Sequence, residues 1–250
     1  MKIVACFKVS PEAQDIQTRP DRTLNLERAA WKIGTYDLNA IEAARVLADQ
    51  VGGTTVGLSA GGSALTNPKT TKDALSRGLD ELAIVVDDDL AGADSYQTAS
   101  VLANAIGQIG SVDVVLVGAG SSDAYTQQVG NQLGAILGWP TLNGVDAITG
   151  EGGGLVVDRM LEDGVQVVEV TLPAVLSLTS GINTPRIAGM KDILAAGKKP
   201  VTTLEPGAMP AAGAKLLSEL APEQVDRQHV MIGGTAAEAA AELAGYLKAL

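Results

Sequence analysis

One cysteine and one histidine in 250 residues leave this chain with little catalytic equipment. A lone Cys6 excludes an internal disulfide framework and a cysteine-rich metal site. A lone His229, close to the end, argues against histidine acid/base chemistry and a multi-histidine metal centre. Aromatics are 3% of the residues while apolar residues are 46%, so Ala, Val, Leu and Ile must build the core. Such a composition suits buried parallel strands covered by helices. No apolar run approaches the roughly 20 residues that a bilayer crossing takes. The opening MKIVACF has one lysine, a short apolar run and no small-residue cleavage site behind it, so it reads as a first strand, not a signal peptide. The expected location is the cytoplasm. Positive charge is scarce as well: 18 Lys and Arg face 29 Asp and Glu, for a net charge of -11. That is the opposite of a nucleic-acid footprint. A phosphate ligand would have to be held by backbone N–H groups at a helix start.

What is present is alternation. Lys2 to Phe7 reads as a short apolar strand, and Asp37 to Gln50 as an amphipathic helix with Leu38, Ile41, Arg45 and Val46–Leu47 at near-helical spacing. Thr54 to Leu58 is a second strand, a helix follows Pro68, and Leu82 to Val86 is a third strand. Ser95 to Ile109 reads as a helix, Val112 to Val117 as a fourth strand, and about Tyr125 to Leu137 as a helix stopped by Gly138-Trp139-Pro140. Strands separated by helices predict an α/β fold, a mostly parallel, doubly wound, Rossmann-like sheet with helices on both faces. Ligands of such sheets sit beyond the carboxyl ends of the strands at a topological switch point. After Pro140, Leu155 to Leu161 and Val165 to Leu172 flank Glu162-Asp163-Gly164 and predict a β-hairpin extension. Ala174 to Leu178 is a further strand, and residues 181–199 form an irregular, locally basic segment. Residues 201–225 read as loop, and Thr235 to Leu250 as an amphipathic helix that either packs on a partner chain or folds back on its own sheet. The expected division is a nucleotide-binding domain over 1–200 and a linker with a C-terminal arm over 201–250.

The strongest local signal is GAGSSDAYTQQVG, Gly118 to Gly130. A glycine-bearing turn leaves a buried strand and opens a helix whose first N–H groups lack internal partners and carry about half a positive charge. A phosphate would be held near Thr126, Gln127 and Gln128; the alternative is an ordinary helix capped by Ser122 or Asp123. Neither GxGxxG nor GxxxxGK[ST] is present. A second candidate is Gly92-Ala93-Asp94-Ser95 with Thr98, where two hydroxyls share one helix face, or where Asp94 or Ser95 merely caps the helix. A third is Asn183 to Lys191, an irregular basic loop with Met190, an adaptable contact residue at surfaces that fit several partners, or else a routine surface loop.

Taken in order, these segments resemble the electron-transfer flavoprotein beta family over roughly residues 1 to 200. Lys2 to Lys8 looks like its first strand and following lysine, and Tyr36 to Ala44 is similar to its aromatic-acidic helix start. Gly118 to Gly130 is similar to its nucleotide loop, with Asp123, Gln128 and Gly130 in register, and Asn183, Pro185 and Arg186 to its partner-recognition loop, with Lys198-Lys199 at the basic end. KIGTYDLNAIEAA, ALTNPKTTKDALSRG, GSSDAYTQQVG and INTPRIAGMKDILAAGKKPV look closest to the Fix-type branch. The resemblance implies the small subunit of a heterodimeric electron carrier, without catalytic residues of its own. It implies FAD held mainly by or shared with the alpha subunit, and a second nucleotide, FAD or AMP, in this chain. The neighbours of that nucleotide would be Cys6, Gly34, Thr35, Tyr36, Asp37, Ala60, Gly118, Ala119, Gly120, Ser121, Ser122, Asp123, Thr126, Gln127, Gln128 and Val129. Ser95 and Thr98 resemble a phosphate-contacting stretch of electron-bifurcating members, which favours FAD. Arg186, Met190 and Lys191 would dock an acyl-CoA-type dehydrogenase, and a quinone- or ferredoxin-linked acceptor would complete the route. Gly34-Thr35 stands where many members have Asn-Pro, and Ala124-Tyr125 where they carry acids. The runner-up readings are an adenine-nucleotide enzyme of the ATP pyrophosphatase type and a stress-type nucleotide-binding module. The first needs a Ser-Gly-Gly-x-Asp-Ser loop after the first strand; Ser59-Ala60-Gly61-Gly62-Ser63 follows the second and lacks the Asp.

Overall fold

The structure, a computed structural model, describes residues 1–151, 153–223 and 229–249. Of the sequence expectations, the loop at Gln224 and Val225 and the helix end at Leu250 lie outside these residues. The chain divides into two compact units, one of residues 1–17 and 25–218, the other of residues 18–24 and 219–250.

The larger unit is built on a nine-stranded sheet. Its strands are β1 (Lys2–Cys6), β2 (Thr54–Gly61), β3 (Glu81–Val86), β4 (Val114–Gly118), β5 (Thr141–Glu151), β6 (Gly154–Leu161), β7 (Gly164–Val170), β8 (Ala174–Leu178) and β9 (Val201–Leu204). Across the sheet they lie in the order β7-β6-β5-β8-β4-β1-β2-β3-β9. From β5 to β9 every neighbouring pair is parallel, while β6 and β7 add an antiparallel hairpin at the edge. The expected doubly wound α/β fold is therefore the observed one. The helices are α1 (Thr35–Val51), α2 (Pro68–Ser76), α3 (Ser95–Ile109), α4 (Val129–Leu137), α5 (Met190–Ala196) and α6 (Ala236–Lys248).

Residues alternate along the central strands and point to opposite faces. Ile3, Ala5, Leu82, Ile84, Val114, Leu116, Leu176 and Leu178 pack with Ile41, Ala44 and Leu47 of α1 and Leu75 of α2. Val4, Cys6, Val56, Leu58, Val85, Val115, Val117 and Val175 pack with Leu102, Ala105 and Ile106 of α3 and Leu133 of α4. Each fully buried Leu or Ile stabilises by about 1.5–3 kcal/mol, which is how a core almost without aromatics suffices. Lys2 ties α3 down, donating from Nζ to the Ile109 and Gly110 carbonyls, where the negative end of the helix favours a cation. On α4, Gly134 lies so close to β5 that a Cβ there would run into the Thr141 hydroxyl.

Two strands of this sheet were not evident from the sequence, nor were the short pairs Val9–Pro11 with Trp31–Ile33 and Gln17–Thr18 with Leu24–Asn25. β5 reads poorly because Gly144 and Gly150 interrupt it. Gly144 adopts φ +67°, and a Cβ on it would stand 3.0 Å from the Met160 carbonyl. The strand is bulged at this point, and the register of its neighbours shifts nearby. β9 is four residues between Pro200 and Pro206, a setting that looks like loop until β3 pairs with it. In the smaller unit, Thr235 and Glu238 form a capping box at the start of α6. None of the α6 residues from Ala236 to Lys248 is buried, and Leu243, Tyr246 and Leu247, three and four apart, are half exposed or more. Among the described residues no helix is long and apolar enough to cross a membrane.

Candidate functional site

The chain order reverses at β1: β2 and β3 lie to one side of it, β4 and β8 to the other. The crevice beyond the carboxyl ends of β1 and β4 is thus the switch point where such sheets take ligands. β1 runs on into Phe7-Lys8-Val9-Ser10, and β4 into Ala119 to Gln128.

Two bonds join these segments directly, and Asp37 of α1 braces the strand ends behind them. Asp37, in the first turn of α1, is buried and accepts the Lys8 backbone N–H at 2.7 Å. Lys8 Nζ pairs with Asp123 at 2.6 Å, and the Ser10 and Ser122 hydroxyls lie 3.0 Å apart. Asp37 also touches the end of β4: a Cβ on Gly118 would stand 2.5 Å from its Oδ1. Burial pushes the Asp37 carboxyl up to about 7, although hydrogen bonds from the Lys8 and Gly118 backbones and the Lys8 charge oppose it. Asp123 moves the other way: burial raises it, but the Lys8 and Ser121 hydrogen bonds, the Ala124 N–H and the Lys8 charge outweigh that and hold it below the usual carboxylate range. Above the turn, the Tyr36 and Tyr125 hydroxyls lie 3.2 Å apart and their ring centroids 5.8 Å apart. At the neighbouring strand end, Ser95 donates its hydroxyl to Gln128 Oε1 at 2.8 Å, linking the starts of α3 and α4.

The glycine-bearing loop after β4 differs from expectation in where its helix starts and in how that helix is capped. The helix predicted from about Tyr125 starts at Val129. Tyr125 at φ +45° and Gln127 at φ +56° are left-handed and cannot continue a right-handed helix. Thr126, Gln127 and Gln128 therefore belong to the exposed loop before α4, not to its first turn. The first intrahelical bond runs from the Gln132 N–H to the Gln128 carbonyl, so the unbonded helix donors are those of residues 129–131. Neither Ser122 nor Asp123 caps the helix; Gln128 occupies the cap position without a side-chain bond.

Of the other predicted residues, Gly34 is the N-cap of α1, followed by Thr35 and Tyr36 in its first turn, and Ala60 lies near the end of β2. Cys6 ends β1 among the apolar residues packed under α3 and α4, and burial pushes its thiol far up, with the Asp37 charge adding to the effect. Asp94 caps α3 and also accepts the Gly213 and Ala214 N–H groups at 2.6 and 3.1 Å. Thr98 donates its hydroxyl back to the Asp94 carbonyl at 2.9 Å. Ser59 is buried and donates to the Phe7 carbonyl at 2.6 Å, inside a strand that runs on to Gly61; this is a sheet position, not a phosphate loop.

A second cluster lies further along α1. Glu42 accepts from Arg186 three times: from Nε at 2.6 Å, Nη2 at 2.9 Å and the backbone N–H at 3.1 Å. Asn39 and Asn183 exchange bonds, each side-chain amide donating to the other's carbonyl, at 2.8 and 3.0 Å. Arg186 is thus held against α1, while Ile187 and Met190 are 95% and 74% exposed and Lys191 is exposed beside them. Sequence reading missed Asn39 and Glu42. The available signal was a pair of polar residues three apart amid Ala40, Ile41, Ala43 and Ala44, on what should have been a core face.

The N–H groups opening α4 fit an anionic ligand, while the Ser95 hydroxyl beside them is given to Gln128. A family model described as the electron transfer flavoprotein domain matches residues 23–209.

Proposed function

The chain belongs to the electron transfer flavoprotein domain family, and from that premise we propose that it is the beta subunit of a heterodimeric electron carrier. The observation behind this reading is the family match over residues 23–209, on a chain whose switch-point crevice opens onto the N–H groups of α4. An adenine nucleotide, AMP or the AMP half of a second FAD, lies in that crevice, with its phosphate towards Ser95 and residues 126–131. A flavin shared with the alpha subunit supplies reversible one- and two-electron chemistry. This chain's own residues position and enclose. Asp37, Lys8 and Asp123 hold the two strand-end segments in register. The C-terminal segment ending in α6 packs on the alpha subunit, which would cover Leu243, Tyr246 and Leu247. The 183–189 loop and the start of α5, with Arg186 fixed and Met190 and Lys191 presented outward, dock an acyl-CoA-type dehydrogenase, and electrons leave to a quinone- or ferredoxin-linked acceptor.

The test is to purify the chain with its flavin-binding partner, denature the complex and quantify the released FAD and AMP. One FAD and one AMP per heterodimer is the simple carrier; two FAD and no AMP makes electron bifurcation the working mechanism. A complex that releases neither, or a chain that turns over substrate alone without cofactor, refutes the proposal.

A further inference from the structure

The glycine turn at the end of β4 lies against two tyrosines. A Cβ on Gly120 would stand 2.6 Å from the Tyr125 ring, so that ring rests directly on bare backbone. A Cβ on Gly118 would stand 2.8 Å from the Tyr36 Cβ. The rings are tilted by 44° to each other, and Tyr125 is 49% exposed. Tyr125 also holds φ +45°, a conformation that is costly for a bulky side chain. An aromatic residue kept half in water on a strained backbone, at the mouth of the switch-point crevice, is not explained by packing.

The polar groups around the crevice are already committed within the protein. Asp37 is bonded to the Lys8 N–H, Ser59 to the Phe7 carbonyl, Thr98 to the Asp94 carbonyl and Asp94 to two backbone N–H groups. Few are left to read the hydrogen-bonding edge of a base. The ring faces are what remains available to a planar ligand, and every base offers a π-face to such a platform.

We propose that Tyr36 and Tyr125 are the base-stacking residues of the crevice, so that the nucleotide's base is recognised by aromatic contact with little discrimination between purines. This rests on the nucleotide reading of the crevice. Neither phosphate contacts nor the docking loop enters into it. The expected contribution of the stack is about 5- to 100-fold in affinity.

The experiment titrates the full chain, stripped of bound nucleotide, with AMP, GMP and ribose 5-phosphate by calorimetry. AMP and GMP should bind within a few-fold of each other, and both tighter than ribose 5-phosphate. Tyr125→Ala should weaken AMP by about 5- to 100-fold and leave ribose 5-phosphate unchanged. Tyr125→Phe, which keeps the ring and removes the hydroxyl pair, should bind AMP as the wild type does. Tyr36→Ala should show the same base-selective loss to a smaller degree. Equal losses for AMP and ribose 5-phosphate would make Tyr125 a structural residue and overturn the stacking role. Unchanged or tighter AMP binding would make it a plug and do the same. If the wild type binds none of the three ligands, the nucleotide reading itself fails.

Discussion

Removing the Glu42 carboxylate should loosen the 183–189 loop without unfolding the sheet. Glu42 accepts three bonds from Arg186, two of them a fork-to-fork pair with the guanidinium. Its side chain is 11% exposed and that of Arg186 39%, so the pair is intermediate between a surface and a buried ion pair. A hydrogen bond to a charged group contributes about 1.5–3 kcal/mol, and breaking a buried pair costs about 3–5 kcal/mol. The half-open side of Arg186 is screened by water, so about 2 kcal/mol is the figure to expect for Glu42→Gln. That corresponds to roughly 30-fold faster amide exchange at Arg186, whose N–H is bonded to Glu42, because the loop opens without the core. Amides of β1 and β4 should be unaffected. A cycle with Arg186→Gln should return a coupling of about 1–2 kcal/mol. Burial raises the Glu42 carboxyl, but the Arg186 hydrogen bonds and charge outweigh it and hold it below the usual range. The stabilisation is thus complete at neutral pH and disappears as the pH falls through that lowered value, which the exchange data should follow. A coupling under about 0.5 kcal/mol, the scatter seen for independent sites, or unchanged exchange at the Arg186 amide, would refute the clamp.

The Asp37 carboxyl rises from 3.8 to about 7 on folding. The folded state therefore binds a proton that the unfolded chain releases between those values, and stability should fall as pH rises through that window, by up to about 4 kcal/mol. Urea midpoints at pH 5 and pH 8 should differ in this sense for the wild type and much less for Asp37→Asn; equal pH slopes would remove Asp37 as the cause. Gly134→Ala should lower the melting temperature, since the new methyl meets Thr141, with overpacking costing about 1–3 kcal/mol. A melting temperature equal to wild type would mean that α4 shifts freely. Ile187→Asp and Met190→Asp, both far exposed, should leave stability within about 0.5 kcal/mol. They should raise the KM of an acyl-CoA dehydrogenase for this carrier with kcat little changed, and an unchanged KM would count against the docking loop.

The parallel sheet was legible because its central strands are buried on both faces and carry unbroken apolar runs, such as Leu82 to Val86 and Val114 to Val117. Helix α3 was legible to the residue because Asp94 caps it with Gln97 and Gly110 ends it. β5 and β9 were not, since a glycine bulge in one and flanking prolines in the other conceal pairing that only the neighbouring strands supply. In the site, the glycine turn and its place after β4 were legible. The late start of α4 was not, because nothing in Asp123 to Gln128 announces that Tyr125 and Gln127 take left-handed angles. The Tyr36–Tyr125 and Glu42–Arg186 pairs join residues 89 and 144 positions apart. Contacts at that separation are a product of topology and leave no local pattern to read.

One element serves both halves of the proposed function. Helix α1 carries Tyr36 and Asp37 at the crevice in its first turn, and Asn39 and Glu42, which fix the 183–186 segment, immediately after. At 1.5 Å per residue, Asp37 and Glu42 are only about 8 Å apart along the axis. The helix between them is pinned to the sheet by Ala40, Ile41 and Ala44, all without exposed surface. A displacement at the crevice that moved the start of α1 would have to move the anchor of the loop with it, because a buried helix of this length shifts as a body and does not bend within one turn. A ligand filling the crevice as proposed would hold α1, and α1 would in turn hold the 183–186 segment.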